Sequence, residues 1–288
     1  MKKSCDTVGG QAVIEGVMMK SGDFISVATV KDKKISVKKM DYSPIDKKFK
    51  IFKLPFLRGF SSLIEMLVLG MKALSYSANE FAGEDEKLSK KEIALTMIIS
   101  FVIAIGLFIV APLIITRAVT SDKGFVFNII DGLLRILVFL IYLSLISLMK
   151  EAKRLFEYHG AEHKTVNCYE DGKPLSVRNI KKYSTIHPRC GTAFILIVLV
   201  ISILVFSFIT SDSFIVKFVS RIVLLPVIAG FSYEILRLGK FFGKNPIYRF
   251  FIYPGLALQN ITTREPDEVQ IRAAVAALKD VVRKNNAK

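Results

Sequence analysis

The run IALTMIISFVIAIGLFIVAPLIIT, from Ile93 to Thr116, contains no charged residue and indicates the class of protein. A helix of about 20 apolar residues crosses the ~30 Å hydrocarbon core of a bilayer. The chain as a whole has 52% hydrophobic residues and no tryptophan, and its mean hydropathy is positive. This composition departs from that of an ordinary soluble protein. We therefore expect the run to form a transmembrane helix.

Three further runs are long enough to cross a membrane: Leu133–Met149, Gly191–Thr210 and Phe218–Leu238. Arg135 lies near the start of the first of these, and Lys217 and Arg221 lie near the start of the last. We expect their long side chains to reach the membrane surface. The runs together predict a mainly α, polytopic membrane protein with about four transmembrane helices between residues 93 and 238.

Basic residues, which give the chain a net charge of +16, concentrate on one side of the predicted spans. The segment before the first span, the connection at 150–190 and the tail after the last span are rich in lysine and arginine, whereas the loops at 117–132 and 211–217 are not. By the positive-inside rule, both termini and the 150–190 connection are cytoplasmic. The basic residues then face the anionic inner leaflet, and no motif indicates a nucleic-acid partner.

The chain outside the spans divides into three regions. In residues 1–54, FISVATV and ISVKKM flank a short turn and predict a small cytoplasmic β element. The Gly9–Gly10 pair and Gly16 are compatible with a backbone that approaches a ligand, but we interpret them as parts of tight turns. Residues 55–82 predict an amphipathic helix that lies in the membrane interface or packs against the helical bundle. Residues 239–288 form a cytoplasmic interfacial segment and a C-terminal helix, whose apolar face should dock on another element.

The connection from Glu157 to Cys190 concentrates side chains that bind metals. It holds all three histidines of the chain and two of the three cysteines. His159 and His163 are four residues apart, so on a helix that continues the second span their rings project from one face and can share a metal ion. Glu162 completes the order HxxEH, which inverted zincins use for two zinc ligands and a general base.

His187 and Cys190 add an HxxC pair at the far end of this connection. If the two ends meet, His159, His163, His187 and Cys190 form a ligand set. Four protein ligands make a closed structural site, whereas three ligands and a water molecule make a catalytic one. In the competing interpretation, the histidines bond loop backbone, Cys190 is a small buried residue and Glu162 is a solvated carboxylate.

Two further residues are candidates for the site. Glu234 lies one helical turn before the end of the last span and could act as a ligand or base, although Arg237 is a simpler ion-pair partner. Cys168 could act as a nucleophile with His163, but their five-residue separation does not ensure the required geometry.

Four segments in order make the chain resemble the YqhQ family of bacterial multi-pass membrane proteins: GGQAVIEGVMMKSG, EYHGAEHKTVNCYE, HPRCGTAF and YPGLALQNITTREPDEVQIRAAVAAL. The resemblance spans nearly the whole chain, with Lys20 in place of an arginine of the family. The family carries the description of a predicted metal-dependent enzyme. The resemblance therefore implies a bacterial cell membrane and a metal, with no established substrate.

Our first hypothesis is a metal-dependent membrane enzyme, a hydrolase that binds a divalent metal ion such as zinc and uses Glu162 as its base. A site at the inner leaflet favours a lipid headgroup or a juxtamembrane peptide as substrate. The alternative is a non-enzymatic membrane scaffold or assembly factor with a closed structural metal site. A transporter is third, because few charged residues lie near the middles of the spans.

Overall fold

A computed structural model describes residues 8–82, 89–242 and 245–285 of the chain, which are mainly helical with a small N-terminal sheet. The strands are β1 (Val8–Val13), β2 (Gly16–Ser21), β3 (Phe24–Lys31) and β4 (Lys34–Met40). The helices are α1 (Ile45–Lys48), α2 (Leu57–Phe81), α3 (Lys90–Ile105), α4 (Ala111–Val119), α5 (Phe125–Ile146), α6 (Lys150–Glu170), α7 (Val177–Ile180), α8 (Gly191–Ser207), α9 (Phe214–Val223), α10 (Leu225–Phe242), α11 (Pro246–Thr262) and α12 (Glu268–Asn285). A 3₁₀ turn covers Lys50–Lys53 and a π-helical segment covers Gly106–Val110.

The sheet is an antiparallel meander in the order β1-β2-β3-β4. The predicted hairpin is present, and its turn residues Asp32 and Lys33 have φ angles of 51° and 61°. Positive φ at both central residues is typical of the two-residue turn whose twist matches the flanking strands. The interpretation of Gly9 and Gly10 as a turn is wrong, since both lie within β1.

Both faces of the sheet are covered by helices. Because side chains alternate along a strand, each strand contributes to both layers. One face packs on α6 and α12 through Val8, Val17, Met19, Ala28 and Val30. The other face packs on α2 through Val13, Met18, Ile25 and Val27. The sheet is therefore the centre of a three-layer core.

The C-terminal helix α12 docks on the sheet as predicted. Its start is capped reciprocally, because Asp267 Oδ1 accepts from Gln270 N at 2.8 Å and Gln270 Oε1 accepts from Asp267 N at 2.8 Å. Its buried face consists of Ile271, Ala273, Ala274, Ala277, Leu278 and Val281.

We expect Leu278→Ala to destabilise the protein by about 2–4 kcal/mol, because it leaves a cavity beneath the sheet. Lys279→Ala, at an exposed position on the same helix, is the matched control and should change stability by less than about 0.5 kcal/mol. Thermal unfolding of the two variants in detergent checks this. Equal melting temperatures would contradict the docking of α12.

Two stretches of helix are long and apolar enough to cross a membrane. The first is Lys91–Val119, which is 29 residues long and joins α3 to α4, and the second is α5, with 22 residues. The pair α9 and α10 adds a third if its 45° bend lies within one span, whereas α8 is shorter at 17 residues. The described residues thus hold two or three such helices, consistent with membrane insertion, and the count of four stays a prediction.

The surface of α3 supports contact with lipid. Its apolar side chains are exposed around the whole helix, as shown by Ile98, Phe101, Val102 and Ile103, each more than 60% exposed. A helix that is apolar on all sides and covered by little protein needs an apolar solvent.

Arg135, Lys217 and Arg221 are buried inside the protein rather than extended outwards, and their position relative to a membrane surface stays a prediction. They lie between α5, α8 and α9, where both arginines contact the Phe206 ring. The arginines can be buried because the Asp131 carboxylate accepts hydrogen bonds from both of them.

The predicted amphipathic helix is α2, and its position in the membrane interface stays a prediction. Apart from Leu69, its buried residues are small ones that allow close packing on the sheet and on α10, namely Gly59, Ser61, Gly70, Ala73 and Ser77.

Candidate metal centre

The helix α6 carries the HxxEH pattern between the sheet and the C-terminal segment. It does not continue the second span as expected, because Met149 is extended, with ψ at 142°, and a new helix starts at Lys150. Tyr158, Ala161 and Val166 pack against the sheet and α12. The sheet thereby fixes the rotation of α6 about its axis.

His159, His163 and Cys190 form a compact group of metal-ligating side chains. Each offers one ligand atom, and these atoms lie within 4.8 Å of one another. His159 Nε2 is 3.3 Å from Cys190 Sγ. Ligand atoms that share one tetrahedral zinc ion are separated by roughly 3.3–3.6 Å, given metal–ligand distances of about 2.0–2.3 Å. The two ends of the 157–190 connection therefore meet, in a geometry close to that of a metal site.

Backbone carbonyls orient both histidine rings. The Nδ1–H of His159 donates to Thr262 O at 2.8 Å, and the Nδ1–H of His163 donates to Thr185 O at 2.5 Å. In each ring the lone pair is therefore on Nε2, the atom free to bind a metal ion. Such outer hydrogen bonds are the usual support of metal-binding histidines. The sequence does not reveal Thr185 or Thr262, because any residue can supply a carbonyl.

Cys190 caps the N-terminus of α8. Its Sγ accepts from Thr192 N at 3.4 Å, and its side chain is buried. The cap fixes Sγ at the start of α8, 3.3 Å from His159 Nε2.

Glu162 lies beside the same group. Its Oε2 is 3.4 Å from His163 Nε2, and the residue is only 5% exposed. Burial raises the pKa of the Glu162 carboxyl, while the charges of His159, His187 and Arg189 oppose this. A carboxylate with a raised pKa is a better proton acceptor near neutral pH.

Two glycines allow the backbone to approach this helix. A Cβ at Gly10 of β1 would lie 2.6 Å from Glu162 Cγ. A Cβ at Gly160 would lie 1.9 Å from Arg264 O. Arg264 also donates its backbone N–H to Phe156 O at 2.9 Å. Gly160 lowers the helix propensity of α6, but the missing side chain lets the 262–264 segment pack closely against the helix.

His187 lies next to the group but is directed elsewhere. Its ring is 5.6 Å from that of His163, and its Nε2 is 3.5 Å from Glu170 Oε2. Gln259 fixes its backbone by accepting from His187 N at 2.8 Å and donating to His187 O at 2.9 Å. The pKa of Glu170, which burial alone would raise, is lowered by His187 and Arg189.

The two further candidates lie apart from the group. Glu234 Oε1 accepts from Arg58 Nε at 2.7 Å, so its carboxylate is engaged by α2. Cys168 is buried in an apolar cluster with Ile180 and Ile271. Burial raises the pKa of its thiol, which disfavours the nucleophilic thiolate.

Comparison with known proteins places the chain in a family. The family described as "Protein of unknown function (DUF1385)" matches residues 54–284. The chain belongs to this family. A relative, "Uncharacterized protein YqhQ" of Bacillus subtilis (strain 168), is 32% identical over 294 residues, which cover 96% of this chain and 92% of the relative. This confirms the resemblance to YqhQ, but neither description names an activity or a metal. No solved structure matches the chain.

A polar cleft of about 490 Å³ lies elsewhere on this DUF1385 protein. It is lined by residues that include Lys20, Tyr42, Arg58 and Glu65. Lys20 is on the face of β2 that points towards α2, the opposite side of the sheet from α6. The cleft is thus separate from the histidine–cysteine group.

Proposed function

We propose that this protein is a metal-dependent membrane enzyme, a hydrolase whose divalent metal ion, such as zinc, is held by His159, His163 and Cys190. The observation that carries the proposal is the grouping of these three ligand atoms within 4.8 Å. Both Nδ1–H groups are satisfied by carbonyls, so the donor set suits a metal.

His159, His163 and Cys190 would hold the metal ion, which would supply an activated water molecule for hydrolysis. Glu162, with Oε2 at 3.4 Å from His163 Nε2, would accept a proton as the general base. The arrangement suits hydrolysis of an ester or amide.

The substrate is a group at the inner leaflet, either a lipid headgroup or a juxtamembrane peptide. Cys190 is the N-cap of the apolar helix α8, which supports a position of the ligand group near a membrane surface. We place four spans in the bacterial cell membrane with both termini in the cytoplasm, as the distribution of lysine and arginine supports.

The rival function is a scaffold or assembly factor with a closed structural metal site. It is favoured by His187, whose ring lies 5.6 Å from that of His163. A rotation of this ring away from Glu170 would supply a fourth protein ligand and exclude water.

The variant Glu162→Gln is expected to keep its metal and to lose hydrolysis by about 10²–10⁴-fold, since it removes only the base. Zinc-loaded protein is incubated with bilayers of bacterial phospholipids and with membrane-anchored peptides, and products are measured by mass spectrometry. The control is Glu234→Gln, because the Glu234 carboxylate pairs with Arg58 rather than with the histidine group. This variant should stay active. Full activity in Glu162→Gln would refute the role of Glu162, and no product from wild type on either substrate would favour the scaffold.

A further inference from the structure

A second group of charged side chains is buried where α5, α8 and α9 meet. Asp131 Oδ2 accepts from Arg135 Nη2 at 2.7 Å and from Arg221 Nη2 at 2.8 Å. Lys217 lies one helical turn from Arg221 on α9 and is also buried. The relative exposures of the four residues are 1% for Asp131, 6% for Arg135, 3% for Lys217 and 1% for Arg221.

The charges in this group do not balance. Three cations surround one carboxylate within the part of the chain that the structure describes. Lys217 Nζ donates to Lys123 O at 2.6 Å, and Arg221 Nη2 donates to Asn128 Oδ1 at 3.1 Å. These neutral partners satisfy hydrogen bonds but add no negative charge, and a buried charge without a counter-charge is strongly unfavourable.

The nearby carboxylates of the loops are already engaged at the surface. Asp212 pairs with Lys123 at 3.5 Å, and both side chains are exposed. Asp122 Oδ1 accepts from Gly124 N at 2.8 Å and from Phe127 N at 3.1 Å. Asp122 and Asp212 still attract Lys217 electrostatically. The charge that stays uncompensated is therefore that of the two arginines that share Asp131, for which the described residues supply no second carboxylate.

The unpaired atoms of the group define the chemistry of that anion. Among the described residues, Arg135 Nε and Asp131 Oδ1 are buried without a hydrogen-bond partner. The first is a donor and the second is an acceptor. A ligand that satisfies both must offer an oxygen acceptor and an O–H donor. Water offers both but carries no charge to balance the arginines. Among anions, a singly protonated phosphate group offers both, whereas chloride has no proton to donate and sulfate has none at neutral pH.

We infer that Asp131, Arg135, Lys217 and Arg221 form a binding site for a protonated phosphate group. The group can come from free phosphate or from a phosphomonoester lipid headgroup such as that of phosphatidic acid. Asp131 lies about 22 Å, at ~1.5 Å per residue, from the end of α5 that leads to α6. The site is therefore distinct from the histidine–cysteine group, and either proposal can fail without the other.

The test is thermal unfolding of the purified full-length protein in detergent. Phosphate, sulfate and chloride are titrated at matched ionic strength and constant pH, and in a separate arm phosphatidic acid or phosphatidylglycerol is added. We expect phosphate, phosphatidic acid or both to raise the melting temperature by about 5 °C at 100-fold excess over Kd. The arm that responds identifies the source of the phosphate group.

Variants locate the effect. Arg135→Gln and Arg221→Gln should each reduce the shift at least threefold, because each removes a buried positive charge, whereas Arg117→Gln, at an exposed position, should keep it. The wild-type titrations stand even if a variant fails to fold. If neither phosphate nor phosphatidic acid stabilises the wild type more than sulfate, chloride and phosphatidylglycerol do, the inference is overturned.

Discussion

Replacing His163 with alanine is expected to lower the affinity of the protein for zinc at least ~100-fold. Loss of an outer hydrogen bond to a ligand already costs 10–100-fold, and this change removes a ligand atom itself. His163 Nε2 belongs to the group of ligand atoms within 4.8 Å, and its ring packs 4.3 Å from that of His159. Competition with a fluorescent zinc chelator measures the affinity.

Cys168→Ala is the matched control for this prediction. Cys168 lies on the same helix and is buried, but its Sγ faces Lys173 O and Pro174 O rather than the histidines. The control variant should bind zinc as tightly as the wild type. Equal zinc affinity in His163→Ala and the wild type would exclude His163 as a ligand.

Gly160→Ala is expected to destabilise the protein by about 1–3 kcal/mol and to weaken zinc binding. The new Cβ would lie 1.9 Å from Arg264 O, so the 262–264 segment must move away from α6. That movement also carries Thr262 O away from His159 Nδ1, to which it is bonded at 2.8 Å. In an isolated helix, replacing glycine with alanine would stabilise the helix by up to ~1 kcal/mol. A loss of stability in Gly160→Ala would therefore indicate the contact between α6 and the 262–264 segment.

Gly191→Ala is the control for this substitution. Gly191 begins α8 beside Cys190, and a Cβ there would meet no atom within 4 Å. Thermal unfolding and zinc affinity should change little in this variant. A Gly160→Ala protein that is as stable as the wild type would show that the 262–264 segment does not pack on α6 as described.

Local patterns in the sequence were enough to predict several parts of the structure. Alternating residues and a short turn predicted the hairpin of β3 and β4, and helical spacing predicted the buried face of α12. The four-residue spacing placed His159 and His163 on one face of a helix, where their rings are 4.3 Å apart. These features depend on residues that are close in the sequence, so the periodicity of the sequence is enough to predict them.

Features that depend on distant contacts were not predictable in the same way. The Nδ1–H of His163 donates to the backbone of Thr185, which has no signature in the side-chain sequence. The sequence favours a turn at Gly10, yet this residue lies in β1 and faces Glu162. No sequence pattern indicates that Arg135 and Arg221 share a partner, whereas the structure joins both to Asp131. Only Arg135 lies at helical spacing from that carboxylate.

The most direct test of a metal centre at His159, His163 and Cys190 is zinc K-edge X-ray absorption of the purified, zinc-exchanged protein, together with its zinc content. We expect about one zinc ion per chain with two nitrogen ligands, one sulfur ligand and one further oxygen at ~2.0–2.3 Å. Less than about one tenth of a zinc ion per chain, or a shell without sulfur, would contradict it.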